Sequence, residues 1–176
     1  MSLADRVRLR AATAVGDVAA VASRLAGRGT GQSIRGQVLT RLAPRSFAQL
    51  LAGKDVLGVS GTNGKTTTNH LLAAAVRQSL GPEAGRVVTN ADGGNLHQGI
   101  VSALAGRRDA TIAVLECDER VIPDLIAVAA PKVLVFLNFS RDQLDRNHEV
   151  KFLARSWREA LAQAGSGGPV VVANAT

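Results

Sequence analysis

With 176 residues, 46% of them hydrophobic, the chain can bury one sizeable core but is too short for two large domains, and no stretch approaches the roughly 18 uninterrupted apolar residues of a membrane span. The single cysteine, Cys117, excludes an internal disulfide and a structural zinc site built by cysteines of this chain. A net charge of +7 raises nucleic-acid binding, but lysine occurs only at Lys54, Lys65, Lys132 and Lys151, and one tryptophan and four phenylalanines without tyrosine offer little to stack on bases; the balance argues for no nucleic-acid partner and leaves an anionic ligand or membrane surface.

Leu3, Val7, Ala11, Val15, Val18, Ala22 and Leu25 recur at spacings of three and four, which predicts an amphipathic helix. Arg6, Arg10, Arg24 and Arg28 lie largely off that stripe. The charged start lacks the apolar block of a secretory signal, so the expected location is cytoplasmic. A basic amphipathic helix can also sit peripherally on the inner face of the plasma membrane, but alanine-rich stripes insert poorly, and docking of the stripe on the chain's own domain is the expectation. Residues 27–33 read as a loop and 34–42 as a second helix stopped near Pro44, giving an N-terminal helical lead-in over residues 1–45 and an α/β domain over 46–176.

In that domain, 55–59 reads as a strand and 66–80 as a helix closed by Gly81-Pro82. A short strand at 86–89, a turn at 91–94 and a helix at 96–104 follow. The continuous apolar run 110–115 suits a strand buried on both faces. Pro123 suits the first turn of a helix running to about Ala129, followed by a strand at 132–137, a helix at 149–163, a turn at 165–168 and a last strand at 169–173. The alternation predicts a mostly parallel sheet with helices on both faces and a ligand at its carboxyl edge.

Residues 56–68, VLGVSGTNGKTTT, carry the chemistry: an apolar strand, a glycine-punctuated turn ending in Gly64-Lys65-Thr66, and a helix immediately behind it. Small residues let backbone N–H groups approach a polyphosphate, and the helix start presents unpaired N–H groups and the positive end of its dipole. Gly61, Thr62, Asn63, Gly64, Lys65, Thr66 and Thr67 are therefore the candidate nucleotide-binding set. Lys65 would be a point charge for the outer phosphates, and Thr66 a hydroxyl for Mg²⁺. In the commoner pattern G-x-x-x-x-G-K-[ST] the first glycine would stand at Val59, whereas here the glycines are Gly58, Gly61 and Gly64.

The next apolar strands also end in polar residues, Glu116-Cys117-Asp118-Glu119 and then the string 138–146, NFSRDQLDR. A carboxylate at the end of a strand beside a phosphate loop is placed to share Mg²⁺ with the loop's hydroxyl, so Glu116 is the candidate metal and catalytic carboxylate, with Lys65 as the catalytic cation. Asp118 and Glu119 read as solvated residues complementing a helix dipole. His70, His97 and His148 have no spacing for zinc or a triad, and Cys117 reads as a small hydrophobe.

The loop GTNGKTT resembles the nucleotide loop of the Mur ligase family, ATP-dependent enzymes that form amide bonds on peptidoglycan precursors, and of the related folylpolyglutamate synthetases. Mur ligases carry a T-N-x-x-x-D-H-L-D segment after the later strand, and NFSRDQLDR is similar to it. Gln143 stands where the family has a metal-organising histidine, and Arg158 where many members use a carbamylated lysine; both changes put the usual second Mg²⁺ arrangement in question. The R-D-Q-L-D-R form, the E-x-D-E string and the loop 90–96, NADGGNL, are similar to the MurT branch, the ligase-like subunit of the enzyme that amidates the D-glutamate of lipid II. That resemblance implies ATP and Mg²⁺ as cofactors, lipid II as substrate, a glutaminase partner of the GatD type as ammonia source, and Asn95, Gln143 and Arg158 as candidate substrate contacts, with Asn95 equally readable as a helix N-cap. Family ligases continue into residues that hold adenine and ribose and into a C-terminal domain, and MurT members often add a four-cysteine zinc ribbon, so this chain is expected to be an N-terminal portion. Another Mur-type or folate-type amino-acid ligase and a non-catalytic ATP-binding scaffold remain open.

Overall fold

The computed structural model describes residues 2–27, 29–90, 94–138 and 147–174. In chain order these form α1 (Leu3–Leu25), α2 (Gln32–Leu42), α3 (Ser46–Leu51), β1 (Asp55–Ser60), α4 (Lys65–Leu80), a 3₁₀ stretch (Gly81–Arg86), β2 (Val87–Thr89), α5 (His97–Gly106), β3 (Ile112–Glu116), α6 (Ile122–Ala129), β4 (Val133–Phe136), α7 (Asn147–Ala164) and β5 (Val170–Ala173). The strands make one sheet in the order β2-β3-β1-β4-β5, and every pairing is parallel. The chain leaves β1 for one side of the sheet and later returns to its other side. The ends of β1, β3 and β4 therefore meet at a switch point, the crevice where open α/β sheets bind ligands.

Alternation along the strands fills two layers. Val87 and Val114, with Ile112, face α4 through Ala73, Leu72, Val76 and Leu80. Val56, Val88, Ala113, Leu115 and Leu134 face the larger core, which also takes residues from α1, α2, α3, α5, α6 and α7. Central β1 accepts a glycine because of this crowding: a Cβ on Gly58 would come within 2.8 Å of Leu134 Cδ2 and 3.2 Å of Leu125 Cδ2. The segment 46–51, which carries no clear period, is a helix because Phe47, Leu50 and Leu51 are all buried in the larger core, so packing decides where propensity does not.

α1 has the expected boundaries but the opposite orientation. Its buried residues are Leu9, Ala12, Thr13, Gly16, Ala20 and Ser23, whereas Leu3, Val7, Val15, Val18 and Leu25 of the apolar stripe are exposed. The expectation that this stripe docks on the chain's own domain is thus overturned. The physical reason is proximity: a Cβ on Gly16 would lie 2.6 Å from Leu39 Cδ1 and 3.2 Å from the Arg35 carbonyl of α2, a spacing that only a small-residue face tolerates. α2 approaches α5 as closely, since a Cβ on Gly36 would fall 1.9 Å from the Gln98 carbonyl oxygen.

Candidate functional site

The turn between β1 and α4 owes its shape to two glycines in the left-handed half of conformational space, Gly61 at φ 140° and Gly64 at φ 83°. Gly61 passes the end of β4 so closely that a Cβ would stand 3.0 Å from both the Asn138 nitrogen and Leu137 Cβ. Asn138 braces the loop: its carbonyl accepts from the Thr62 N–H at 2.8 Å, and its side-chain oxygen accepts from the Asn63 N–H at 3.0 Å. Thr62 and Asn63 therefore shape the loop. Gly64 caps α4 without any side-chain acceptor for the N–H groups that follow, so Lys65, Thr66 and Thr67 present the unpaired donors of a helix start. Thr66 and Thr67 are exposed.

Lys65 folds back over its own loop. Its ammonium donates to the Gly61 carbonyl and to the Thr62 carbonyl at 3.3 Å, and it lies 3.5 Å from Glu119 Oε1 with the two side chains only 14% and 19% exposed. Glu119 is therefore no solvated helix-start residue. Asp118 is not solvated either: its side chain is 17% exposed and held by Arg120 Nε at 2.9 Å, and α6 begins only at Ile122. Burial alone would push the Asp118 carboxyl up, but hydrogen bonds from Arg120 and the charges of Arg120 and Lys65 hold it below the usual carboxylate range.

Glu116 stands beside Val59 in the β1–β3 register, at the strand end next to the loop. Asn90 fixes its backbone from both sides, accepting the Glu116 N–H at 2.8 Å and donating to the Glu116 carbonyl at 2.8 Å. Asn95 Nδ2 lies 3.4 Å from Glu116 Oε1, and α5 starts on Leu96 with no side-chain cap. Asn95 is thus a neighbour of the carboxylate rather than a helix cap. Burial drives the Cys117 thiol well above its ordinary range, helped by the charges of Glu116 and Asp118, so it supplies no thiolate.

One candidate contact stays apart from this group. Arg158 is exposed and shares an open depression with Lys151, Phe152, Ala154 and Arg155. Gln143 lies outside the described residues, as do Asp142 and Asp145. His70 is exposed, and His97 is taken up by Asp124 at 2.9 Å and the edge of Phe47. Residue-by-residue reading overlooked Asn138, Asn90 and Trp157. Trp157 donates its indole N–H to the Glu119 carbonyl at 2.8 Å and stacks on Phe136 with ring centroids 4.2 Å apart, which ties α7 to the segment carrying Glu119. Asn at each of two strand ends was the available signal, because a short amide can serve both backbone directions.

No three His, Cys, Asp or Glu side chains converge among the described residues. A divalent cation shared by one hydroxyl, one carboxylate and phosphate oxygens needs no such cluster, and the oxygen donors Thr66 and Glu116 suit Mg²⁺. No helix among the described residues is long and apolar enough to cross a membrane.

The family model described as Mur ligase middle domain matches residues 59–176. The lipid II isoglutaminyl synthase (glutamine-hydrolyzing) subunit MurT of Staphylococcus aureus (strain COL) is 34% identical over 148 residues, covering 82% of this chain and 32% of that protein. The subunit of the same name from Streptococcus pneumoniae (strain ATCC BAA-255 / R6) is 32% identical over 134 residues, covering 74% of this chain and 28% of that protein. A UDP-N-acetylmuramoylalanine–D-glutamate ligase of Nitrobacter winogradskyi is 33% identical over 150 residues, covering 85% of this chain and 30% of that protein. The chain therefore spans about a third of the length of the curated relatives it matches. Since the matched region runs from within β1 onward and takes in the loop together with the strand ends that frame it, the chain belongs to the Mur ligase family.

Proposed function

We propose that this chain is the ATP-binding part of a ligase-like subunit that amidates the α-carboxylate of D-glutamate in the lipid II stem peptide, with ammonia from a glutaminase subunit of the GatD type. The observation that carries the nucleotide half of this reading is Lys65 at the first position of α4, half-withdrawn onto Glu119 and the loop carbonyls. The choice of amidation rests on similarity to the MurT subunits. A lipid-linked substrate places the work at the inner face of the plasma membrane.

In this reading Lys65 exchanges Glu119 for the outer phosphates, and the N–H groups at the start of α4 hold phosphate oxygens. Thr66 and Glu116 would hold Mg²⁺, which when bound neutralises charge on the transferring phosphoryl group. Asn95 keeps one Glu116 oxygen oriented and leaves the other available. A substrate carboxylate oxygen attacks the γ-phosphorus and ADP departs, leaving an acyl phosphate. Ammonia then attacks the acyl carbon, loses a proton and expels phosphate, giving D-isoglutamine. Cys117 is buried and held as a thiol, which supports an ammonia source outside this chain.

The test uses the full-length protein with its glutaminase. Lys65→Ala should lower ATP turnover by on the order of 100-fold, and Glu116→Gln should depress Mg²⁺-dependent turnover while sparing metal-free nucleotide binding. Unchanged nucleotide affinity in Lys65→Ala would overturn the loop assignment. The D-glutamate ligase match favours a second reading, amino-acid addition. Product analysis with ammonia against free amino acids separates the two, and ATP binding without phosphate release under any of these conditions would mark a scaffold.

A further inference from the structure

The outward face of α1 is apolar, uncharged and uncovered by any described residue. At about 100° per residue, Leu3, Val7, Val18, Val21 and Leu25 fall within one arc of about 60°, and they are 77%, 58%, 71%, 45% and 85% exposed. Ala11 and Ala14 continue the arc and are exposed as well. The helix has 23 residues, so the stripe runs for about 34 Å. No charged side chain interrupts it.

Its borders are cationic. Arg6, Arg10 and Arg24 flank one side and Arg8 the other, all exposed, and Arg6, Arg10 and Arg24 have no ion pair among the described residues. The acid on the arginine-rich side, Asp17, is neutralised by Arg35 at 2.7 Å. The opposite face of the helix is pinned to α2 through Gly16 and Leu39, so α1 cannot turn its valines inward without losing that packing.

We propose that α1 seats the protein on an anionic lipid bilayer, its valine and leucine side chains entering the headgroup boundary and its border arginines meeting lipid phosphates. A protein partner is the poorer fit. The face offers none of the aromatic or methionine anchors on which protein interfaces concentrate their binding energy, while Arg6, Arg10 and Arg24 along one border, and Arg8, which also donates to the Leu42 carbonyl at 2.6 Å, along the other, complement a continuous layer of phosphate. A stripe of small aliphatic side chains contributes a modest apolar share, so binding depends on charge and weakens with salt. The proposal goes beyond the amidation reading and does not depend on it: vesicle binding needs neither nucleotide nor glutaminase.

Sedimentation of the intact protein with vesicles tests it. Phosphatidylcholine vesicles containing roughly a third phosphatidylglycerol should bind at least ~10-fold more tightly than pure phosphatidylcholine, and about 0.3 M salt should remove most of the difference. Arg6→Gln, Arg10→Gln and Arg24→Gln should each weaken binding about fivefold, and the double variant Val7→Asp/Val18→Asp at least ~10-fold, with unchanged circular dichroism showing that the fold persists. Equal binding to both vesicles, or full binding by the double aspartate variant, overturns the proposal. So does a protein that ignores vesicles and elutes as a dimer which the aspartate variant makes monomeric, since a second copy then covers the stripe.

Discussion

α1 and α7 carry the same kind of signal in sequence and resolve it in opposite ways. α7 turns Leu153 and Trp157 inward, both buried, with Phe152 left exposed, and sets Ala160, Leu161 and Ala164 against the core. α1 turns inward Ala12, Gly16, Ala20 and Ser23 with Leu9 and leaves its valines outside. α7 stacks a tryptophan on Phe136 of the sheet, where helix and strand stand far enough apart for large side chains. α1 lies on α2 at glycine distance, where there is no such room. Periodicity identifies a helix; residue size on each face, read against the partner's closeness, decides which face docks.

The largest test of that contrast is Trp157→Ala. It removes a buried indole, its stack on Phe136 and its hydrogen bond to Glu119, and should cost about 3–5 kcal/mol in chemical denaturation; a cost under about 1 kcal/mol would mean that α7 is not held by its large residues. Gly36→Val comes next, at about 2–3 kcal/mol, because the added carbons meet a backbone carbonyl that cannot step aside. Gly16→Ala should cost about 1 kcal/mol, since the nearest atom belongs to the flexible Leu39 side chain. The smallest effect is Val18→Asp, expected within about 0.5 kcal/mol of the parent. A loss above about 2 kcal/mol there would mean the outer stripe is covered in the folded protein and would reverse the comparison.

The route from β1 through the loop to α4 was legible because strand, glycine turn and helix start are contiguous, and each local choice agrees with the next. The carboxyl-edge position of Glu116 was legible for the same reason, as the first polar residue after the apolar run 110–115. What escaped depends on which strand ends become neighbours. Asn138 braces a loop 75 residues earlier in the chain, and Asn90 clamps a strand 26 residues later. Neither partnership exists until the order β2-β3-β1-β4-β5 is formed, and nothing adjacent to either asparagine announces it. Glu119 escaped because its ion-pair partner, Lys65, comes from another element; judged by its own neighbours it looks like a helix-dipole acid. The docked face of α1 was hidden because small residues carry little weight in an apolar pattern, although they permit the closest packing.

The bond between Asn63 and Asn138 also bears on how the protein is made. A ribosome extends a chain at roughly 5–20 residues per second, so the 75 residues between them correspond to about 4–15 s of synthesis. β1 lacks both neighbours until β3 has been made, and lacks β4 almost to the end of the interval, so for most of that time its apolar residues have only local company. The loop therefore takes its final shape late, after the strand that precedes it has waited longest for partners. Nascent chains halted before residue 138 should lack the braced loop, and a chaperone that shields apolar strands would act in that window.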